Sequence, residues 1–321
     1  EGKTVKLVHY WELERLSGLK QPRMAFFDMN QFRSVTNTLL EQYHITLDDI
    51  QEIWGVPELN SSDHYLSKHR YEDITYHAIC HLASCLFMDM EKFRSEKILA
   101  IAVDGGSDVV VDAYDKDGKS EDKRYQFCAA YTDGKLIDQQ ILPIYSCAVI
   151  WKVAALYFNL KEGSLMALAS ASKSEAYIEV EDILVKNNVK EESEKYEHVI
   201  QLIQQVEDFT EADAGIKFNY FDPRFSERDN KISMVMKIIQ HMSERIMKIN
   251  IDEAVKKYDI NPEETYLAMS GGFALNCPCN SYLLETYGFK GFIAPPCVSD
   301  SGMALGIGLY SFYNKFENTF D

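Results

Sequence analysis

The alternation of apolar and polar positions divides the chain into segments of strand and helix period. Residues 4–11 have strand character, and residues 39–43 and 46–54 read as short helical pieces. Across residues 73–88, Ile74, Ala78, Leu82 and Cys85 make an apolar stripe at helical spacing, and Asp73 suits the start of such a helix. Residues 98–104 form a buried-type strand that runs straight into Gly105-Gly106. Three short strands of a meander are expected at 109–114, 125–132 and 135–141, turning at Asp117-Gly118 and Asp133-Gly134.

A helix near 148–158 is followed by an acidic, polar stretch, 170–230. It carries one amphipathic helix at 193–209 with Val199, Ile203 and Val206 on its apolar side, and it reads as an inserted cap or a surface excursion. The remainder is regular: helix 232–256, strand 265–269, Gly271-Gly272, helix 275–286, strand 291–294 and helix 301–313. This alternation predicts an α/β fold. No repeat of solenoid length is present, but the plan of meander followed by helices suggests two lobes of similar build. The expected division is residues 1–96 for an N-terminal lobe and 97–321 for a second lobe bearing the excursion, with the last helix returning to the first.

Composition narrows the function. With 321 residues, 46% hydrophobic and 26% charged, the chain can bury a sizeable core, and no run of about 18 apolar residues could span a bilayer. The 33 basic and 50 acidic residues give a net charge of −17, which repels a phosphate backbone, so nucleic acid is not expected as a partner. Seven cysteines, an odd number lying mostly in apolar segments, suggest reduced thiols in a cytosolic protein. Cys277-Pro278-Cys279 has the wrong spacing for a zinc knuckle or a thioredoxin-like pair and reads as packing.

His77 and His81 stand four apart, so a helix places both imidazoles on one side, where they can grip a metal. The same spacing also fits two histidines that cap, pack or stay solvated. Asp104 ends an apolar strand before two glycines, a turn where backbone N–H groups can meet an anion and a carboxylate can meet a metal. Asp300, after Pro295-Pro296 and before Ser301-Gly302, has a similar setting, with a plain N-cap as the alternative. Ser270-Gly271-Gly272 between strand and helix lets backbone approach a phosphate or ribose, although no full dinucleotide or P-loop pattern is present.

The run from Leu267 through Gly271-Gly272-Phe-Ala-Leu-Asn276 and Pro295-Pro296 to Asp300-Ser-Gly-Met-Ala-Leu-Gly306 resembles the end of the carbamoyltransferase family that decorates antibiotics and nodulation factors. Glu12-Leu-Glu14-Arg15-Leu-Ser-Gly-Leu-Lys20, His77-Ala-Ile-Cys-His81-Leu-Ala-Ser84 and Val103-Asp104-Gly105 resemble upstream motifs of that family, and Glu162-Gly163-Ser164-Leu-Met166 resembles another in which Ser164 replaces a lysine.

The resemblance implies a two-lobed fold of the actin, hexokinase and Hsp70 class (ASKHA), kin to tRNA threonylcarbamoyl transferase, with nucleotide and metal in the cleft. It implies that His77, His81, Asp104 and Asp300 hold a divalent metal, Fe(II) favoured with Zn or Mn also suitable. Gly105, Gly106, Glu162, Gly271, Gly272 and Asn276 are implied on the side of ATP or carbamoyl-adenylate. The expected activity is carbamoyl transfer to a hydroxyl of a small-molecule acceptor. The family's first strand and its carbamoyl-adenylate-forming domain are expected outside this chain, the latter as a separate domain or subunit. A nucleotide-binding regulatory module of the same fold and a relative acting on tRNA are the alternatives.

Overall fold

The computed structural model describes residues 4–18, 29–53, 76–105, 127–141, 147–179 and 192–316. Its helices are α1 (Leu13–Ser17), α2 (Met29–Leu40), α3 (Tyr76–Leu86), α4 (Met90–Ser95), α5 (Cys147–Phe158), α6 (Glu162–Ala171), α7 (Glu192–Glu207), α8 (Glu227–Tyr258), α9 (Cys277–Tyr287) and α10 (Met303–Phe316). Its strands are β1 (Lys97–Val103), β2 (Phe127–Asp133), β3 (Leu136–Ile141), β4 (Thr265–Ser270) and β5 (Gly291–Ile293). They form one sheet in the order β3-β2-β1-β4-β5. β1, β2 and β3 are an antiparallel meander, and β4 and β5 lie parallel to β1, reached through helices. This is the expected α/β class, an antiparallel meander followed by parallel strands reached through helical crossovers.

β1 is central and carries an unbroken apolar run because helices cover both faces of the sheet. Leu99, Ile101 and Val103 point into the larger core with α5, α7, α8 and α9. Ile98, Ala100 and Ala102 face the other way, toward α3 and α10. On that second face the register aligns Ala130, Ala100 and Ala268 in one row across three strands. Such small side chains let a helix sit close to the sheet, and α3 comes down where β1 and β4 end. α10 packs on α3 so closely that a Cβ at Gly306 would lie 1.9 Å from the Cys80 carbonyl oxygen.

Two expectations change. Residues 4–11 are irregular and pair with no strand among the described residues; Leu7 and Val8 are 59% and 63% exposed. The segment is held instead by stacking of His9 on Trp11, by a Tyr43 hydroxyl contact to His9 Nδ1 at 2.6 Å, and by Val5 against the α3-side core. The 170–230 stretch also contributes more than surface. Val199, Ile203 and Val206 of α7, with Phe209 and Phe218, lie in the larger core. Asn230 of α8 binds Ser172, Ser174 and the Asp222 backbone below it. The expected strand at 109–114, the Asp117-Gly118 turn and Ile74 lie outside the described residues. No helix among those described is long and apolar enough to cross a membrane.

Candidate metal centre

The ends of β1, β4 and α3 and the turn before α10 meet at one point. β1 delivers Asp104 and β4 delivers Ser270, because the two strands run parallel with Ala102 beside Ser270. Gly271 then turns the chain at φ 92°, a left-handed value that favours glycine. A Cβ there would strike the Val103 carbonyl oxygen at 2.2 Å. The first glycine of the pair therefore lets the two strand ends touch, a role beyond the expected approach to phosphate. Its N–H donates to Val298 O at 2.7 Å, which draws in the segment that leads to Asp300.

His81 lies on the face of α3 that meets this point and is 1% exposed. Its Nε2 is 3.1 Å from Asp104 Oδ2 and 3.6 Å from Asp300 Oδ1. Ligand atoms of His81, Asp104 and Asp300 all lie within 4.8 Å of one another. Asp104 is oriented by backbone donors: Gly105 N–H to Oδ1, and Gly272 N–H to Oδ2 at 3.3 Å. Burial works against a charged imidazole, but hydrogen bonds and charge from Asp104 and Asp300 outweigh it and push the His81 pKa up to about 9. Positive charge is thus favoured where one nitrogen and two carboxylates converge, the position a cation would take.

The sequence-derived candidates fall into two groups. His81, Asp104 and Asp300 are brought together, with Gly105 and Gly272 supplying N–H groups to Asp104. Asp300 opens a single 3-10 turn, with Ser299 at its N-cap position, that leads into α10. His77 stands one turn before His81 in α3, but its side chain lies outside the described residues, as does Gly106. Asn276 is buried and committed to structure. Its Oδ1 caps α9 by accepting from Cys279 N, and its Nδ2 donates to Gln240 Oε1 on α8. Glu162 is exposed at the start of α6.

The sequence places Ser84 at the end of the motif that begins at His77, with no role of its own, and Ser270 only in a phosphate-approach loop. Both are fully buried and stand behind the imidazole, with Ser270 Oγ 3.3 Å from His81 Nδ1 and 3.2 Å from Ser84 Oγ. Placement of Ser84 three residues after His81 on the same helix was the available signal.

The sequence profile of the family described as "Carbamoyltransferase N-terminus" matches residues 27–309. No curated protein matches the sequence. Similar solved structures include the activator of the 2-hydroxyisocaproyl-CoA dehydratase from Clostridium difficile with bound ADPNP. It is 14% identical at a TM-score of 0.45, over 89% of this chain and 82% of that one. Component A of the (R)-2-hydroxyglutaryl-CoA dehydratase from Acidaminococcus fermentans is 13% identical at 0.40, over 72% and 66%. HypF from T. kodakarensis is 15% identical at 0.37, over 76% of this chain and 37% of that chain.

Proposed function

Because the chain belongs to the carbamoyltransferase N-terminus family, we propose that it moves a carbamoyl group from carbamoyl-adenylate to a hydroxyl of a small-molecule acceptor at a divalent metal centre. The observation that supports this reading best is His81 Nε2 directed at two carboxylates delivered by separate segments. One imidazole nitrogen and two carboxylate oxygens suit Fe(II), Mn or Zn, and His77, one turn earlier on the same helix, is the proposed fourth ligand. When bound, the ion supplies positive charge at the adenylate phosphate and Lewis acidity at the carbonyl.

This chain's own residues do the remaining work. Asp104 is held in place by the Gly105 and Gly272 N–H groups, so its orientation does not depend on the ligand. The diglycine turn lets the ends of β1 and β4 touch, and its N–H groups go to Val298 O and to the Asp104 carboxylate, which fixes that carboxylate beside His81. In the transfer, the acceptor oxygen bonds to the carbamoyl carbon while the bond from that carbon to the phosphate oxygen breaks. The electron pair leaves with AMP, and the hydroxyl proton passes to a base. Carbamoyl-adenylate would come from a separate forming domain or subunit. Ser164, exposed where the family motif has lysine, favours a second reading, a nucleotide-binding regulatory module without transfer.

Incubation with carbamoyl-adenylate and a hydroxylated acceptor, with AMP followed over time, separates the two. The expected result is metal-dependent AMP release that falls on the order of a hundredfold in Asp300→Asn. Nucleotide binding without AMP release, even when a forming domain is supplied, would reject transfer and leave the regulatory module.

A further inference from the structure

A cavity of about 460 Å³ opens where the last turns of α5 and α7 meet the first turns of α8. Phe158, Ile232 and Val235, all buried, form its floor. Glu207, Glu227 and Arg228 are exposed at its mouth, beside Lys231. Its size falls within the range of small-molecule sites, about 300–1,000 Å³. It stands apart from the metal centre: Arg228 precedes Gln240, the α8 residue that meets Asn276, by about 18 Å of helix axis.

Much of the charge at the mouth is already matched. Lys231 Nζ lies 2.7 Å from Glu227 Oε1 and donates to Glu207 O at 2.9 Å. Two groups are only partly used. Arg228 donates from Nη2 to Phe158 O at 3.2 Å, its one hydrogen bond among the described residues, which leaves most of its five N–H donors over. Glu207 Oε2 accepts from the Tyr157 hydroxyl at 2.7 Å, which steadies the carboxylate and leaves Oε1 without a partner among the described residues. The helix ends strengthen both poles. The C-terminal carbonyls of α5 and α7 bring partial negative charge, and the first N–H groups of α8 bring partial positive charge. A lone cation or a lone anion would satisfy one pole and leave the other unmatched.

We propose that this cavity binds a free amino acid with an apolar side chain, its carboxylate on Arg228, its ammonium on Glu207 Oε1 and its side chain on Phe158, Ile232 and Val235. The planar guanidinium fork suits a carboxylate, and the apolar floor rewards a ligand body that leaves water. None of these residues belongs to the metal centre, so the site stands whether or not the chain transfers a carbamoyl group.

Methyl NMR spectra of the protein, titrated with L-phenylalanine and with L-leucine, test the site. The probes 3-phenylpropionate and 2-phenylethylamine lack the ammonium and the carboxylate in turn. The expected result is saturable shifts of the Ile232 and Val235 methyls with either amino acid. Each one-charge probe should bind about tenfold more weakly than L-phenylalanine, and Arg228→Gln and Glu207→Gln should weaken the amino acids about as much, the worth of one charge-assisted hydrogen bond. No saturable shift at those methyls with either amino acid overturns the proposal. So does a one-charge probe that binds as tightly as L-phenylalanine, or a folded variant with unchanged affinity. Should a variant fail to fold, the one-charge probes on wild-type protein decide alone.

Discussion

Gly306→Ala is expected to weaken metal binding and to destabilise the fold by about 3 kcal/mol, the upper end for an overpacked contact. The added Cβ would sit 1.9 Å from Cys80 O and 2.6 Å from Cys80 C, both backbone atoms that cannot rotate aside. α10 would have to move off α3 until real contact distances are restored. His81 follows Cys80 directly on α3, and the Asp300 turn leads into α10. The same shift therefore opens the 3.6 Å approach of Asp300 to His81. Denaturant midpoints and Mn2+ titration of the variant check both parts, and a variant as stable and as tight-binding as wild type would show that the two helices are not held at that distance.

Asn230→Ala is expected to cost on the order of 5 kcal/mol, since several buried partners lose their bonds at about 1–3 kcal/mol each. Asn230 is 1% exposed, and its Oδ1 accepts from Ser174 Oγ at 2.6 Å, Ser172 Oγ at 3.0 Å and Asp222 N at 3.2 Å. Its Nδ2 donates to Asp222 O, Ser226 O and Phe225 O. One side chain thus fastens both ends of the 172–226 stretch to α8. Urea unfolding with hydrogen exchange should show early loss of protection around residues 172–178 and 218–226. A change below about 1 kcal/mol, the worth of a single ordinary hydrogen bond, would contradict the count.

The sheet was legible because its strands have few ways to be read. The apolar runs of β1 and β4 allow only a strand covered on both faces, and Gly134 at φ 69° marks the β2–β3 turn. Residues 4–11 misled because strand propensity mainly describes fit to a pleated neighbour, and Leu7 and Val8 have none among the described residues. α8 runs longer than its apolar pattern. Ser226 Oγ accepts from Asp229 N to start it five residues before Ile232, and Asp259 at φ 51° ends it. In the 170–230 stretch the acidic residues set the average and hid Val199, Ile203 and Val206, whose helical spacing was visible but not their depth.

His81, Asp104 and Asp300, whose ligand atoms lie within 4.8 Å of one another, were readable as candidates because each stands at a helix face, a strand end or a turn. What could not be read is what holds them. The Ser270 hydroxyl behind the ring depends on β1 and β4 lying in one register, and Gly306 matters only because α10 crosses α3 beside Cys80. Asn276 shows the opposite case. Its place in the family motif suggests ligand contact, and its bonds to Cys279 and Gln240, which join α9 to α8, depend on a packing that the motif does not show.

The most direct test of the metal centre is Mn2+ titration of wild type, His81→Ala and Asp300→Asn. Wild type should bind about one ion per chain, with affinity that rises as pH approaches the His81 pKa of about 9, because the ion must displace that proton. Both variants should bind at least roughly tenfold more weakly. Equal Mn2+ binding by all three proteins would contradict the account.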